Sequence, residues 1–201
     1  MKILFIQLPL LDHSHSYVQG NVEYAPAAIA AFLHCKLKLD VQIEFLPFII
    51  TNFGSNDLIL RYVFALQPTI ICFTNYVWNV ERHLSLAQHI KSHMPHVCII
   101  FGGPEIAPGS FVFSEKHPEV DYFVNGEGEW FFRLFFGGSR FDRFSENMND
   151  TMLITQPAGE LLSASEIVEP FTSNYLNAMP DGSVFLEMTR GCPYRCDYCY
   201  Y

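Results

Sequence analysis

Basic residues are scarce in this chain: 12 Lys and Arg stand against 21 Asp and Glu, and the formal net charge is -9 at pH 7. No basic stripe is therefore available to neutralise a phosphate backbone, which argues against the nucleic-acid-binding classes. No apolar run reaches the roughly 20 residues that a membrane-spanning helix requires. We accordingly expect neither a nucleic acid nor a membrane among the partners of this protein.

Apolar residues, by contrast, are abundant: they make up 50% of the 201 residues, and 16% are charged. A chain of this length and composition can bury a substantial core. Up to about position 136, short apolar runs alternate with longer runs that have helical spacing. The predicted strands cover residues 2–8, 41–47, 69–74, 97–101 and 121–124, and the predicted helices cover residues 24–37, 55–66, 79–93, 108–116 and 127–135. Five such βα units predict an α/β fold with a doubly wound parallel sheet of five strands.

Beyond position 136 the pattern becomes weaker. Residues 150–156 and 160–163 flank a Pro-Ala-Gly turn, which predicts a hairpin. Residues 184–188 are apolar and predict the first strand of a further domain, so that the residues after them would lie at a strand's carboxyl end. The sequence therefore divides into an α/β domain over residues 1–136, a linker over residues 137–183 and the start of a second domain over residues 184–201.

The loops at the carboxyl ends of the predicted strands form the candidate binding site, because parallel α/β sheets bind their ligands there. Glycines in such loops let the backbone approach a large cofactor, and the helix that follows offers free N–H groups. The candidate cofactor-binding residues are Thr74, Gly102, Gly103, Gly126 and Glu127. Paired glycines also make ordinary tight turns, so the glycines alone leave both interpretations open.

The first loop tests the common ligands of such a fold. A dinucleotide site requires Gly-x-Gly-x-x-Gly directly after the first strand, and residues 9–15 read PLLDHSH instead. This absence excludes the ordinary nicotinamide fingerprint. A phosphate loop of the flavodoxin type, with hydroxyl residues and glycine at the same place, is absent as well.

Three of the six cysteines, Cys192, Cys196 and Cys199, form a Cys-x-x-x-Cys-x-x-Cys array at the end of the chain. Such a loop can bring three thiolates to three irons of a four-iron cubane and leave the fourth iron open. Structural zinc is the alternative, but zinc sites of that kind need four donors, and no histidine lies near the array in the sequence. The other three cysteines stand singly in apolar segments, where a free cysteine behaves as a small buried hydrophobe.

Residues 189–199, TRGCPYRCDYC, resemble the cluster loop of radical S-adenosylmethionine (SAM) enzymes, including the aromatic residue before the third cysteine. The resemblance implies that Cys192, Cys196 and Cys199 bind a [4Fe–4S] cluster whose open iron binds SAM. Electron transfer from the cluster would then cleave SAM to a 5′-deoxyadenosyl radical. The resemblance also implies a small-molecule substrate, an external electron donor such as flavodoxin or ferredoxin, and a reducing, cytoplasmic setting.

A second resemblance extends over the upstream part of the chain. It rests on EYAP at residues 23–26, GGPE at residues 102–105 and DYFVNGEGE at residues 121–129. In this order, and upstream of the cysteine loop, these segments resemble the flavodoxin-like cobalamin-binding domain of one large subclass of radical SAM enzymes. The resemblance implies that the candidate residues at the strand ends bind cobalamin.

The first loop lacks a motif of many cobalamin domains, Asp-x-His-x-x-Gly, whose histidine lies below cobalt. Here the first loop contains Asp12, His13, Ser14 and His15 and does not match that spacing. We therefore interpret His13 and His15 as loop histidines and not as cobalt ligands.

The chain ends two residues after Cys199, whereas a complete barrel takes on the order of 200 further residues. We therefore expect the amino-terminal part of a longer cobalamin-dependent radical SAM enzyme, for which methyl transfer is the commonest chemistry of the family. The 201-residue chain alone is expected to be inactive. The alternative is a free-standing cobalamin-binding carrier module whose cysteines are vestigial.

Overall fold

A computed structural model describes residues 1–10, 22–107, 117–138, 145–148, 151–178 and 182–190, with the backbone alone for 145–148. The strands in this part of the chain are β1 (Lys2–Ile6), β2 (Gln42–Phe45), β3 (Ile70–Thr74), β4 (Cys98–Gly102), β5 (Tyr122–Asn125), β6 (Ser145–Met148) and β7 (Thr151–Thr155). The helices are α1 (Tyr24–Cys35), α2 (Phe48–Phe53), α3 (Asn56–Leu66), α4 (Val80–His93) and α5 (Gly128–Phe136).

The seven described strands form one sheet in the order β2-β1-β3-β4-β5-β7-β6. Six of them run parallel, and β6 pairs antiparallel with β7 at the edge. The order 2-1-3-4-5 reverses between β1 and β3, as in flavodoxin-like folds. The prediction of an α/β fold with a doubly wound parallel sheet is therefore confirmed. The predicted count of five strands was wrong, because β7 adds a sixth parallel strand and β6 an antiparallel one.

Helices cover both faces of the sheet. Buried residues of α1 and α5 pack with Ile3 and Phe5 of β1 on one face, and buried residues of α3 and α4 pack with Leu4 and Ile6 on the other. Successive side chains of a strand point to opposite faces, so a strand between two helical layers has to be apolar at every position. This is why the central strands read as continuous apolar runs.

The hairpin predicted from residues 150–156 and 160–163 is not the one that forms. β7 pairs with β6 on one side and with β5 on the other, and no strand occurs at residues 160–163. Leu153 and Ile154 are buried on opposite faces of the sheet. β7 is therefore an internal strand, and Pro157 and Gly159 lead the chain away from the sheet instead of returning it.

Three further elements differ from the prediction or fall outside it. Helix α2 was not predicted, and residues 183–189 form no strand, although a strand was predicted over residues 184–188. A strand needs a hydrogen-bonding neighbour, and in the described part of the chain none pairs with this segment. The helix predicted over residues 108–116 lies outside the described residues.

No helix among the described residues is long and apolar enough to cross a membrane.

Candidate functional site

A cavity of about 850 Å³ opens at the carboxyl ends of the parallel strands. It lies on the face of the sheet that α1 and α5 cover, because Phe5, Cys72, Ile100 and Val124 line it from the strands. Its helical walls are mainly apolar, as at Phe132 of α5, and include the carboxylate of Glu129. Cavities of roughly 300–1,000 Å³ with mainly apolar walls are typical of small-molecule and cofactor sites.

All five candidate cofactor-binding residues, Thr74, Gly102, Gly103, Gly126 and Glu127, line this cavity. Thr74 and Gly102 are the last residues of β3 and β4 and are paired in the sheet register. Gly126 and Glu127 form the turn between β5 and α5. The structure thus brings together residues that the sequence placed on three separate loops, while their role in cofactor binding stays a prediction.

The neighbouring glycines Gly102 and Gly103 have different surroundings. A Cβ atom added at Gly102 would meet no other atom within 4 Å, so a side chain there would extend into open space in the cavity. Gly103 has φ +101°, and a Cβ there would lie 2.6 Å from the backbone N and O of Asn75. Gly102 therefore leaves room for a ligand, whereas Gly103 allows two backbone segments to approach each other.

The start of α5 lies close to α1 because Gly128 has no side chain. A Cβ at Gly128 would lie 2.3 Å from Cδ1 of Ile29 in α1. Glu127 is the N-cap residue of α5, and Glu129 lies in its first turn. The partial positive charge at a helix N-terminus favours carboxylates at both positions.

Glu127 uses both carboxylate oxygens for contacts within the protein. Its Oε2 accepts hydrogen bonds from Nε2 of Gln156 at 2.9 Å and from the backbone N of Leu162 at 2.8 Å. Its Oε1 accepts from Nη1 of Arg190 at 3.2 Å. Glu127 therefore ties the β5–α5 turn to the segment after β7 and to Arg190, a role that the sequence did not indicate.

Arg190 contacts three carboxylates at the cavity. Besides Glu127, its Nη2 lies 2.8 Å from Oε1 of Glu129 and its Nε lies 2.8 Å from Oε2 of Glu187. Burial alone would lower the pKa of Arg190, but the hydrogen bonds and charges of Glu129 and Glu187 outweigh it and hold that pKa above its usual range. Arg190 and Glu129 were not predicted as site residues, although Glu-x-Glu at a helix start and an arginine before the first cysteine were visible in the sequence.

A second polar cluster lies at the same end of the sheet and is buried. Nδ1 of His83 donates to Oδ1 of Asn75 at 2.9 Å, and its Nε2 accepts from the backbone N of Leu8 at 3.4 Å, a tautomer assigned from these partners. Nδ2 of Asn75 donates to the carbonyl oxygens of Phe73 and Gly102. Burial, with a smaller contribution from the charge of Arg82, lowers the pKa of His83 to about 3. His83 is therefore neutral and joins the ends of β1, β3 and β4.

An aromatic pair lies beside the cavity. Asn79 holds the loop that carries this pair. Its Nδ2 donates to the carbonyl oxygen of Leu8, and its Oδ1 accepts from the backbone N of Tyr76. The ring of Tyr76, which lines the cavity, stacks on that of Trp78 with centroids 4.5 Å apart and an angle of 4° between the planes. Trp78 is half-exposed, so this pair presents aromatic surface at the loop after β3.

The predicted cluster ligands Cys192, Cys196 and Cys199 lie outside the described residues, as do His13 and His15. Within the ranges that the structure describes, no group of three or more His, Cys, Asp or Glu side chains could hold a metal ion.

The other three cysteines are free, but they do not share one environment. Cys72 is buried, and burial raises the pKa of its thiol well above the ordinary value. Burial is also the largest cause that raises the pKa of Cys98 to about 12. Cys35 is exposed, contrary to the expectation of a buried thiol, because it is the last residue of α1 and does not face the sheet.

No family model matches the chain. The cobalamin-dependent radical SAM methyltransferase TokK of Streptomyces tokunonensis is 30% identical over 156 residues, which cover 66% of this chain and 22% of that protein. The 2-(S-pantetheinyl)-carbapenam-3-carboxylate methyltransferase of Streptantibioticus cattleyicolor is 29% identical over 153 residues, or 66% of this chain and 22% of the relative. The hopanoid C-3 methylase of Methylococcus capsulatus is 29% identical over 175 residues, or 80% and 31%.

The chain thus spans less than a third of the length of the curated relatives it matches. The shared region nevertheless includes 66–80% of the chain itself. The family resemblance inferred from the motifs is therefore confirmed: the chain is homologous to part of the cobalamin-dependent radical SAM methyltransferases.

Proposed function

We propose that this chain provides the cobalamin-binding domain and the cluster-binding loop of a radical SAM methyltransferase that acts on a small molecule. The observation that carries the proposal is the cavity at the strand ends, where the five candidate residues meet in a chain homologous to cobalamin-dependent enzymes. A reducing, cytoplasmic setting and an electron donor such as flavodoxin or ferredoxin belong to the same proposal.

The residues around the cavity fit a large cofactor with an apolar part. Gly102 leaves its Cβ position open towards the cavity, and Phe5, Ile100 and Phe132 line it with apolar surface. These residues would bind the nucleotide tail of cobalamin and exclude water from it. Gly103 and Asn75 would hold the loop after β4 in place, since their backbones lie too close for a side chain between them.

The donor set of the cysteine loop suits an iron–sulfur cluster. Cys192, Cys196 and Cys199 supply three thiolates, one fewer than a structural zinc site requires. The bound cluster would supply the electron that cleaves SAM to a 5′-deoxyadenosyl radical.

Hydroxocobalamin binding by the 201-residue chain tests the cavity. We expect saturable binding, seen as a change in the visible spectrum, and at least about tenfold weaker binding by a Gly102→Leu variant, because the leucine would occupy the cavity. A Gln42→Leu variant, changed at an exposed position of β2, is the matched control and should bind like the parent. Binding of NAD or a flavin without cobalamin would refute the proposal.

Anaerobic reconstitution with iron and sulfide tests the cysteine loop. We expect about four irons per chain, a spectrum that responds to SAM, and loss of both in a Cys196→Ala variant. Zinc binding without iron uptake would refute the cluster. A chain that binds cobalamin but takes up no iron would instead be the carrier module.

A further inference from the structure

The segment that leads into the cysteine loop is held without regular secondary structure. Residues 183–189 form no helix or strand, and the side chains of Val184, Leu186 and Met188 are exposed. The contacts of this segment with the α/β domain include the ion pairs of Arg190 and a hydrogen bond between the hydroxyl of Tyr24 and the backbone of Glu187. Its position therefore depends on side-chain contacts and not on a strand ladder.

The carboxylates that bind Arg190 are themselves fixed. Glu127 and Glu129 stand at the start of α5, and Glu127 is also hydrogen-bonded to Gln156 and Leu162. The side chains of Arg190, Glu127 and Glu129 are only 14%, 12% and 7% exposed. Ion pairs shielded to this degree are screened less by water and salt than surface pairs are.

The charges of Arg190 and its glutamates do not balance, so the position of residues 187–189 depends more on the arginine than on any one glutamate. Three carboxylates, Glu127, Glu129 and Glu187, surround one guanidinium. Removal of Arg190 would leave three like charges close together and partly buried, and they would push residues 187–189 away from α5. Removal of one glutamate would leave the arginine with two partners, so its effect is expected to be smaller.

We propose that Arg190 is a positioning residue that docks the start of the cysteine loop onto the N-terminus of α5, at the edge of the cavity. Arg190 stands two residues before Cys192, and two residues span at most about 7 Å of extended chain. The docking would thus hold the first cluster ligand near the cofactor cavity and fix the relative position of the two cofactors. The role for the cofactors rests on the proposed function, whereas the docking depends only on residues seen in the structure.

Hydrogen–deuterium exchange of the full chain without cofactors tests the docking itself. In an Arg190→Gln variant we expect the backbone amide of Glu187, which is hydrogen-bonded to the Tyr24 hydroxyl in the docked position, to exchange about tenfold faster or more, with strands β1 to β4 unchanged. A Glu129→Gln variant should show a smaller increase. Arg133→Gln, which removes an exposed pair of Arg133 with Glu166 at 2.9 Å, is the matched control and should leave residues 182–190 unchanged. Equal exchange in the parent and in Arg190→Gln would overturn the docking.

Electron paramagnetic resonance of the chain loaded with cluster and cob(II)alamin tests the positioning. We expect the Arg190→Gln variant to keep the iron content of the parent but to lose the magnetic coupling between the two paramagnetic centres. Unchanged coupling, or loss of iron in this variant alone, would overturn the positioning role. Failure of the parent chain to take up iron or cobalamin would count against the proposed function, while the exchange experiment would still decide the docking.

Discussion

Two polar clusters lie at the carboxyl end of the sheet, and different forces hold them together. The neutral cluster of His83, Asn75 and Asn79 is buried and joins its members to backbone groups by hydrogen bonds. The charged cluster, made of Arg190 and its three glutamates, is less completely buried than the neutral one and joins side chains to side chains. The neutral cluster fixes the loops after β1, β3 and β4, whereas the charged cluster fixes the β5–α5 turn and the approach to the cysteine loop.

This difference predicts which changes disrupt each cluster. A buried neutral network is damaged when a member becomes charged or loses a partner, because an unpaired polar group in the core keeps its full desolvation cost. The charged cluster lies at the edge of the cavity, where residues 187–189 can move away and let water reach a member that has lost its partner, so the rest of the fold is less affected. The fold should therefore depend more on the neutral cluster, and the placement of the cysteine loop more on the charged one.

The largest effect should come from charging His83 with acid. Its pKa is about 3 when folded against a usual 6.5, so between these values the unfolded chain binds a proton that the folded chain does not. The charging of His83 should thus contribute a loss of about 1.4 kcal/mol for each pH unit between pH 6.5 and pH 3, and only below pH 4.5 does no opposing titration of Glu23 offset it. Urea unfolding at several pH values measures this contribution as the difference between the parent and a variant without His83.

A His83→Gln variant isolates this slope from a second titration with the opposite sign. Burial raises the pKa of Glu23 to about 8 from 4.5, so the folded chain holds the extra proton and stability rises as pH falls from 8 to 4.5. The variant keeps Glu23 and should lose only the acid slope below pH 6.5. The same slope in parent and variant would show that His83 does not control acid stability.

Asn75→Ala should lower the free energy of unfolding by less than the complete protonation of His83 does, but by more than any change in the charged cluster. It leaves the Nδ1–H of His83 and the carbonyl oxygens of Phe73 and Gly102 without their side-chain partner. We expect a loss of about 3 kcal/mol in the free energy of unfolding by urea. Asn52→Ala, changed at an asparagine of α2 that bonds only locally to Phe48, is the control and should change little.

The coupling between Glu129 and Arg190 should be smaller still. A double-mutant cycle of Glu129→Gln and Arg190→Gln should give about 1 kcal/mol, because the pair is well formed but not completely buried. The coupling should decrease in high salt. A coupling as large as the loss from Asn75→Ala would remove the distinction between the two clusters.

The parts of the fold that the sequence predicted are those with a local signal. The apolar runs of β1, β3 and β4 were located to within two residues because both faces of these strands are buried. α2 was missed because its six residues, Phe48–Phe53, are too few to show a helical period. The pairing of β7 with β5 was missed because the choice of partner is a tertiary event without a pattern inside either strand.

The candidate site divides in the same way. The five residues at the cavity could be predicted because the topology of a parallel sheet brings its carboxyl ends together. The contacts of Arg190 with Glu127 and of His83 with Leu8 join positions 63 and 75 residues apart, and no spacing in the sequence marks them. Long-range polar contacts of this kind required the three-dimensional structure.

Changes in the exposed ion pair of Arg133 and Glu166 should have the smallest effect. This pair therefore sets the lower limit against which the two clusters are compared. Glu166 has a pKa below its usual value, mainly because the hydroxyl and backbone N–H of Ser163 donate hydrogen bonds to it, with a lesser contribution from Arg133. Replacement of Arg133 by Gln should thus leave that pKa almost unchanged, whereas Ser163→Ala should raise it towards the usual value. Carboxyl NMR titration of the parent and the two variants measures both shifts. A larger shift in Arg133→Gln than in Ser163→Ala would mean that even this exposed ion pair is stronger than a short-range hydrogen bond, and the arginine would no longer serve as a control for Arg190.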